Sequence, residues 1–147
     1  MVLHLITCVV QMNKFAGNYK YILAGDFNFT PDSLMYKMIT QGGNYTDSVE
    51  KSSFLDTSAY VLKFSTPMKS AYQLADKEPL FTNCAHTINN PPFSGCLDYI
   101  FISRGWEVNS VKELPSCVPD SCYPSATEPS DHLMLVADLT MKQRVIK

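Results

Sequence analysis

The sequence lacks most of the features that would set it apart from an ordinary globular domain. Its 147 residues include only 6 glycines, 1 tryptophan and 3 histidines, and charged residues make up 18%. Sparse, aperiodic glycine excludes collagen-like and low-complexity classes. Long apolar runs are missing too. The opening stretch from Val2 to Met12 is too short for a bilayer and is interrupted by Thr7 and His4. It also lacks the basic start and small-residue cleavage site of a secretory leader. Neither sign of charge dominates: 12 Lys and Arg face 14 Asp and Glu, a formal net charge of −2. No general pull on nucleic acid follows, so a polyanion would have to be held by a local site or a metal. No Asp or Glu precedes Asp26. No repeat, linker or second-domain boundary is visible.

What remains is a foldable chain. It is 46% hydrophobic and 12% aromatic, and its length is close to the roughly 150-residue norm for one domain. Five cysteines stand at positions 8, 84, 96, 117 and 122. An odd number with no CxxC pair is read as free thiols in a reducing compartment. A Cys117–Cys122 loop link or half of a metal site is the alternative. The expected location is the cytoplasm, with the nucleus as the other choice.

Val2, Leu5, Ile6, Val9 and Met12 recur at helical steps, which predicts a buried helix of about fourteen residues ending near Gly17. Tyr21 to Ala24 reads as an interior strand stopping at Gly25-Asp26. Thr30 to Ser33 carries helix-start chemistry, followed by the stripe Leu34, Met35, Met38 and Ile39 and a Gly42-Gly43 stop. Residues 44 to 95 are irregular, with a short helix expected within Asp47 to Asp56, a strand at Ser70 to Leu74, and another edge at Phe81 to Asn83. Asn89 to Pro92 is a turn signal. Cys96 to Ile102 is too continuously apolar for a half-exposed strand and is read as interior. Trp106 to Leu114 would be its hairpin partner across Gly105. The proline-rich stretch 115–130 is a surface loop, and Leu133 to Leu139 is the last strand. The order predicts mixed α/β with an antiparallel or mixed sheet.

Three polar clusters stand against these strands: Gly25-Asp26-Phe27-Asn28, Leu97-Asp98-Tyr99 and Ser130-Asp131-His132. A carboxylate within a run such as Cys96 to Ile102 costs several kcal/mol (on the order of 2–7 for an uncompensated polar group) unless it is paired or metal-bound. Together the clusters offer carboxylates for a hard divalent cation, an amide for an oxyanion and one imidazole. That set suits metal-assisted phosphoryl transfer to water. Each residue also has a plainer reading. Asp98 could be a buried carboxylate satisfied by backbone donors, Asp131 a turn cap, His132 a core histidine and Phe93 simple packing. Lys63, Lys69, Lys77 and Arg104 read as solvated, His86 near Cys84 as a loop residue, and Tyr36 and Tyr72 as core tyrosines with wet hydroxyls.

The motifs GDFN, PDSxxY (Pro31 to Tyr36), FTN, FxGxLDYIF (Phe93 to Phe101) and PSDHLxLVADL (Pro129 to Leu139) resemble the endonuclease/exonuclease/phosphatase superfamily. The detail is most similar to its deadenylase-like branch of CCR4-type nucleases, nocturnin, angel proteins and the 2′,5′-phosphodiesterase. The resemblance implies a part of a four-layer α/β sandwich and a Mg²⁺ cofactor, with Mn²⁺ as a substitute. Asp26 would orient and deprotonate the attacking water near the metal, and Asn28 would bond the scissile phosphate. His132 would stabilise its charged oxygens, Asp98 would fix the tautomer of His132, and Asp131 would sit at the metal edge. Phe93 matches an aromatic that stacks on adenine. The implied activity is 3′→5′ exoribonuclease action on adenosine-rich RNA, in a larger mRNA-decay complex. A 2′,5′-phosphodiesterase, a nucleotide 2′-phosphatase or a non-catalytic binding module are the alternatives.

The family domain is about twice as long and anchors its metal on an N-terminal glutamate that these residues do not match. Residues 1–147 are therefore read as the C-terminal portion of one domain, without its N-terminal sheet. Two expectations follow: weakened metal affinity, and an apolar face left open to association.

Overall fold

A computed structural model describes residues 2–44, 63–64, 66–86 and 91–142. The first helix, α1, runs Val2–Ala16. It ends where the Gly17 N–H reaches the Asn13 carbonyl at 3.0 Å with φ of 56°, a left-handed stop that glycine takes without strain. Among its described side chains, Leu5 and Val9 form the buried stripe, while Val10 and Phe15 face outward. The buried helix expected from the sequence is thus a one-sided one, because no second layer lies over its outer face among the described residues.

Strand β1 (Ile22–Asp26) leads into helix α2 (Leu34–Gln41). Ser33 caps α2 by accepting the Tyr36 N–H at 3.2 Å, and Gly42 at φ 67° closes it. The helix turns Tyr36, Met38 and Ile39 into the core. Two-residue strands β2 (Gly43–Asn44) and β3 (Lys63–Phe64) pair with each other. The helix expected within Asp47 to Asp56 and the Asn89-Asn90 turn lie outside the described residues.

The stretch expected as a strand at Ser70 to Leu74 is instead the short strand β4 (Lys69–Ser70) followed by helix α3 (Ala71–Ala75). Adjacent residues Ala71 and Tyr72 are both buried while residues 73–75 are exposed, one-sided burial that a helix can give and an alternating strand cannot. After it come β5 (Asn83–Ala85), β6 (Phe93–Gly95), β7 (Asp98–Ile102), β8 (Trp106–Val111) and β9 (Ala137–Met141).

The central sheet has the order β1-β7-β4, all antiparallel. Its middle strand is the continuous apolar run seen in the sequence. Because β1 and β4 occupy both edges of β7, the expected β7–β8 hairpin does not form. Gly105, at φ 100°, turns the chain away, and β8 pairs with β9 with a register shift between Val108 and Ser110. The last strand begins only at Ala137, since the Leu133 N–H is committed to the Thr82 carbonyl at 2.7 Å. Every strand pair among the described residues is antiparallel. The class is mixed α/β, as expected.

The core is aromatic. Phe27, Phe29, Tyr36, Tyr99 and Phe101 meet with ring centroids 5.0–6.0 Å apart. The Tyr99 hydroxyl lies 2.8 Å from both the Phe29 and Cys96 carbonyls, so its proton has an acceptor in either rotamer. Neither Tyr36 nor Tyr72 keeps the wet hydroxyl expected of it: they donate to Glu78 Oε1 (2.5 Å) and the Lys112 carbonyl (3.0 Å).

A smaller cluster holds Phe81, Cys84 and Cys122, with Tyr123 and Leu133 packed on it. Here the free-thiol reading is corrected: Cys84 and Cys122 form a disulfide, with Cα atoms 5.1 Å apart. The pair is separated by 38 positions and meets only because the proline-rich loop folds back along β5, where the Tyr123 N–H bonds the Cys84 carbonyl at 2.9 Å. Cys8, Cys96 and Cys117 are free thiols.

Candidate active site

The site is built where β1 and β7 end together. Their register sets Asp26 directly opposite Asp98. Beyond Asp26 the chain makes a tight polar turn. The Asn28 N–H donates to Asp26 Oδ1 at 2.8 Å and its side-chain amide to Asp26 Oδ2 at 3.2 Å. Asn28 has φ of 52°, a conformation that asparagine tolerates better than most residues. Phe27 and Phe29 pack on the core, so residues 26–29 alternate polar residues outward with aromatic anchors inward. The anchors fix the turn, and the turn fixes the carboxylate.

Two like charges facing each other across a strand pair are unfavourable unless compensated. The compensation falls on Asp98. Its Oδ2 accepts the Thr82 hydroxyl at 2.7 Å and lies 2.9 Å from His132 Nδ1. Thr82 is fully buried, and its oxygen also accepts the backbone N–H groups of Leu97 (2.9 Å) and Asp98 (3.0 Å). Partial burial works against a charged imidazole. The Asp98 hydrogen bond and charge, helped by Asp131 and Asp26, outweigh it, and the His132 pKa is raised. With Nδ1 engaged by Asp98, Nε2 is the ring nitrogen left for chemistry.

Asp131 and His132 follow the proline-rich loop and are held by β5. The Asp131 carbonyl accepts the Cys84 N–H at 2.9 Å, and the buried Asn83 amide donates to Asp131 at its carbonyl (3.2 Å) and Oδ2 (3.3 Å). Asn83 and His132 form a backbone bridge. Phe93, on β6, is partly exposed, and its ring lies over Gly95: a Cβ there would sit 2.8 Å from Phe93 Cζ.

A cleft of about 600 Å³ is lined by Asp26, Asn28, Asn83, Phe93, Asp131 and His132, among others. Of the six residues singled out in the sequence, five line this one cleft, and Asp98 stands behind His132. Sequence reasoning misses Thr82 and Asn83. Their signal is the FTN motif, in which the sequence alone assigns a role to neither residue.

The cleft's carboxylates, Asp26 and Asp131, offer hard oxygen donors with spare lone pairs, the type that Mg²⁺ takes while keeping several waters. Among the described residues no group of three or more His, Cys, Asp or Glu is gathered to hold an ion alone. The two carboxylates are of the donor type such a cation takes, and by themselves they do not enclose one.

Residues 8–132 match the Endonuclease/Exonuclease/phosphatase family. The chain belongs to that family. Carbon catabolite repressor protein 4 homolog 4 of Arabidopsis thaliana is 32% identical over 137 residues, 89% of this chain and 29% of that protein. Mouse 2′,5′-phosphodiesterase 12 is 36% identical over 127 residues, covering 82% of this chain and 19% of the relative. The Emericella nidulans CCR4-Not complex 3′-5′-exoribonuclease subunit Ccr4 is 32% identical over 130 residues, 82% of this chain and 18% of its own. The chain thus spans less than a third of each of these endonuclease/exonuclease/phosphatase relatives. Among solved structures, the endonuclease/exonuclease/phosphatase from Bacteroides vulgatus superposes with a TM-score of 0.59 at 23% identity, over 94% of this chain and 42% of that one. That likeness shows the shared fold.

Proposed function

We propose that this chain contributes the catalytic cleft of a Mg²⁺-dependent phosphodiester hydrolase, a 3′→5′ exoribonuclease acting on adenosine-rich RNA, with Mn²⁺ able to substitute. The observation that carries the reading is the His132–Asp98 pair at 2.9 Å, standing beside the Asp26–Asn28 turn at one cleft. We read residues 1–147 as the C-terminal portion of one family domain. The 42% share of the Bacteroides vulgatus chain that it spans supports a partial domain.

In this reading Asp26 orients the attacking water and accepts its proton. Asn28 uses one amide hydrogen to hold Asp26 and has a second for a phosphate oxygen. Protonated His132 donates from Nε2 to an equatorial oxygen as negative charge builds there, and Asp98 holds the ring through Nδ1 and favours its charged form. Asp131 completes the carboxylate edge, with Asn83 fixing its rotamer. Phe93 offers a face for the terminal base, a contact worth about 1–3 kcal/mol. Bound Mg²⁺ would supply Lewis acidity toward the phosphoryl oxygens and the water.

The test is hydrolysis of a labelled oligo(A) with Mg²⁺, by the chain and by the chain joined to an N-terminal half of the domain. Asp26→Asn should lower the rate by a factor on the order of 10²–10⁴, the usual size of a lost acid–base contribution. Undiminished hydrolysis by that variant overturns the assignment. A second reading, a 2′,5′-phosphodiesterase of the same mechanism, is favoured by the 36% identity to the mouse enzyme of that name. Rates on 3′,5′- and 2′,5′-linked adenylate trimers separate the two.

A further inference from the structure

We propose that a second cleft, at the opposite end of the β1–β7 pair, binds the phosphate backbone of single-stranded RNA. The active-site cleft stands at the Asp26–Asp98 end of that pair. The second, of about 700 Å³, is lined at the Ile102 end, where Ile22 is the register partner. Four residue steps along β7 separate the two ends, about 13 Å at roughly 3.3 Å per step. They are distinct sites on one sheet.

The second cleft has the charge that the whole molecule lacks. Lys20, Lys69, Arg104 and Lys142 all line it, and among the described residues no Asp or Glu does. With a formal net charge of −2 for the chain, four such cations at one opening are a local reversal of sign. Two of the ammonium groups are held by backbone carbonyls, one of which, on Lys142, belongs to the cleft lining. Lys69 Nζ donates to the Thr40 carbonyl at 3.0 Å, and Lys20 Nζ donates to the Lys142 carbonyl. The Lys20 stem lies where a Cβ on Gly105 would be, 2.6 Å from Lys20 Cε, so the glycine that turns the chain out of β7 also makes room for this cation. Each fixed ammonium keeps two further donors for a ligand.

The lining also carries aromatic rings. Tyr19 is 84% exposed, and Trp106 and Tyr21 stand on the same cleft. Cations to follow a backbone, with rings offered to bases, are what sequence-tolerant single-strand binding requires. An acidic peptide would use the charges and leave Tyr19 without a purpose. Lys69 and Arg104 look solvated from sequence alone, because nothing in their spacing shows that they meet Lys20 and Lys142 at one opening. The choice of RNA among polyanions rests on the nuclease reading given above.

The experiment is fluorescence anisotropy of a labelled 20-nucleotide oligo(A) with the full chain, in EDTA so that no turnover occurs, at several salt concentrations. Lys20→Glu with Arg104→Glu should weaken binding about tenfold or more. It should also flatten the salt dependence by roughly 0.7 in log–log slope for each phosphate that is no longer neutralised. Tyr19→Ala should weaken binding with the slope retained, and Lys77→Glu, an exposed charge outside the cleft, should change neither. Thermal melts of each variant verify folding. The proposal is overturned if wild-type chain fails to bind the 20-mer, or if a folded double variant binds it with wild-type affinity and slope. It is equally overturned if Lys77→Glu has the same effect as the double variant, or if polyglutamate competes as well as RNA. If oligo(A) is not hydrolysed by the restored domain while binding still depends on Lys20 and Arg104, the nuclease reading fails and this one stands.

Discussion

At the scale of single residues, the site depends on how Asp98 is satisfied. One carboxylate oxygen serves both Thr82 and His132, so the threonine hydroxyl and the imidazole are coupled through it. Asp98→Asn removes the charge and keeps an acceptor. The expected outcome is a lower His132 pKa, read from the ring-proton shifts of a metal-free NMR titration; an unmoved midpoint would show that Asp98 does not set the charge state. The sign for stability is fixed by the same shift. His132 has a raised pKa in the folded chain, so its pairing stabilises fully below the ordinary histidine value of about 6.5. That contribution disappears as pH rises through the folded value, and Asp98→Asn should reduce this pH dependence.

Thr82 is the other member. Thr82→Val keeps the shape but leaves the Leu97 and Asp98 N–H groups without their acceptor. That should cost about 1–3 kcal/mol for the orphaned polar groups in chemical denaturation. Thr82→Ser retains the hydroxyl and should recover most of the loss. Asp26, Asn28, Asp98, Asp131 and His132 were all legible in the sequence because acids, amides and a histidine beside apolar runs are conspicuous. Thr82 was not, because a threonine beside a strand looks the same whether it packs or holds a carboxylate.

At the scale of elements, the spacing of Phe93 and Gly95 has a physical reason. The strand carries both residues on one face, two positions apart, and the phenyl ring lies over the space that a side chain at 95 would fill. Gly95→Ala should push the flexible end of Phe93 aside rather than unfold the strand. The expected result is weaker binding of an oligo(A) 3′ end, with a melting temperature close to wild type. A matching fall in stability would mean that the glycine serves packing alone. The helices α1 and α2 and strands β1 and β7 followed from periodicity, cap residues and turn glycines. The β7–β8 hairpin did not form, since local patterning says that a strand wants partners but not which edges are already taken. Ser70 to Leu74 went wrong for a related reason: five residues are too few for a period of 2 and a period of 3.6 to differ.

At the scale of the whole molecule, the disulfide ties the proline-rich loop to β5, and the loop delivers Asp131 and His132. A cross-link between positions 38 apart is expected to contribute about 3–4 kcal/mol by restricting the unfolded chain. Reduction should lower the melting temperature and broaden the NMR signal of His132. Thiol titration of the denatured, unreduced chain should count Cys8, Cys96 and Cys117 only, and five reactive thiols would exclude the link. The open surface belongs to this scale as well. Phe15, Val10, Met134 and Met141 are exposed.

Sequence alone determined the composition class, the main helices and strands, and the residue types of the cleft, because these depend on local periodicity and on the cost of burying charge. Only the tertiary structure decided which segments meet. The Asp26–Asp98 register, the pairing of β8 with β9, the Cys84–Cys122 link and the four cations of the second cleft all join positions far apart in the chain. Such contacts are set by which edges and faces remain open once the aromatic core has closed, and no local pattern encodes that.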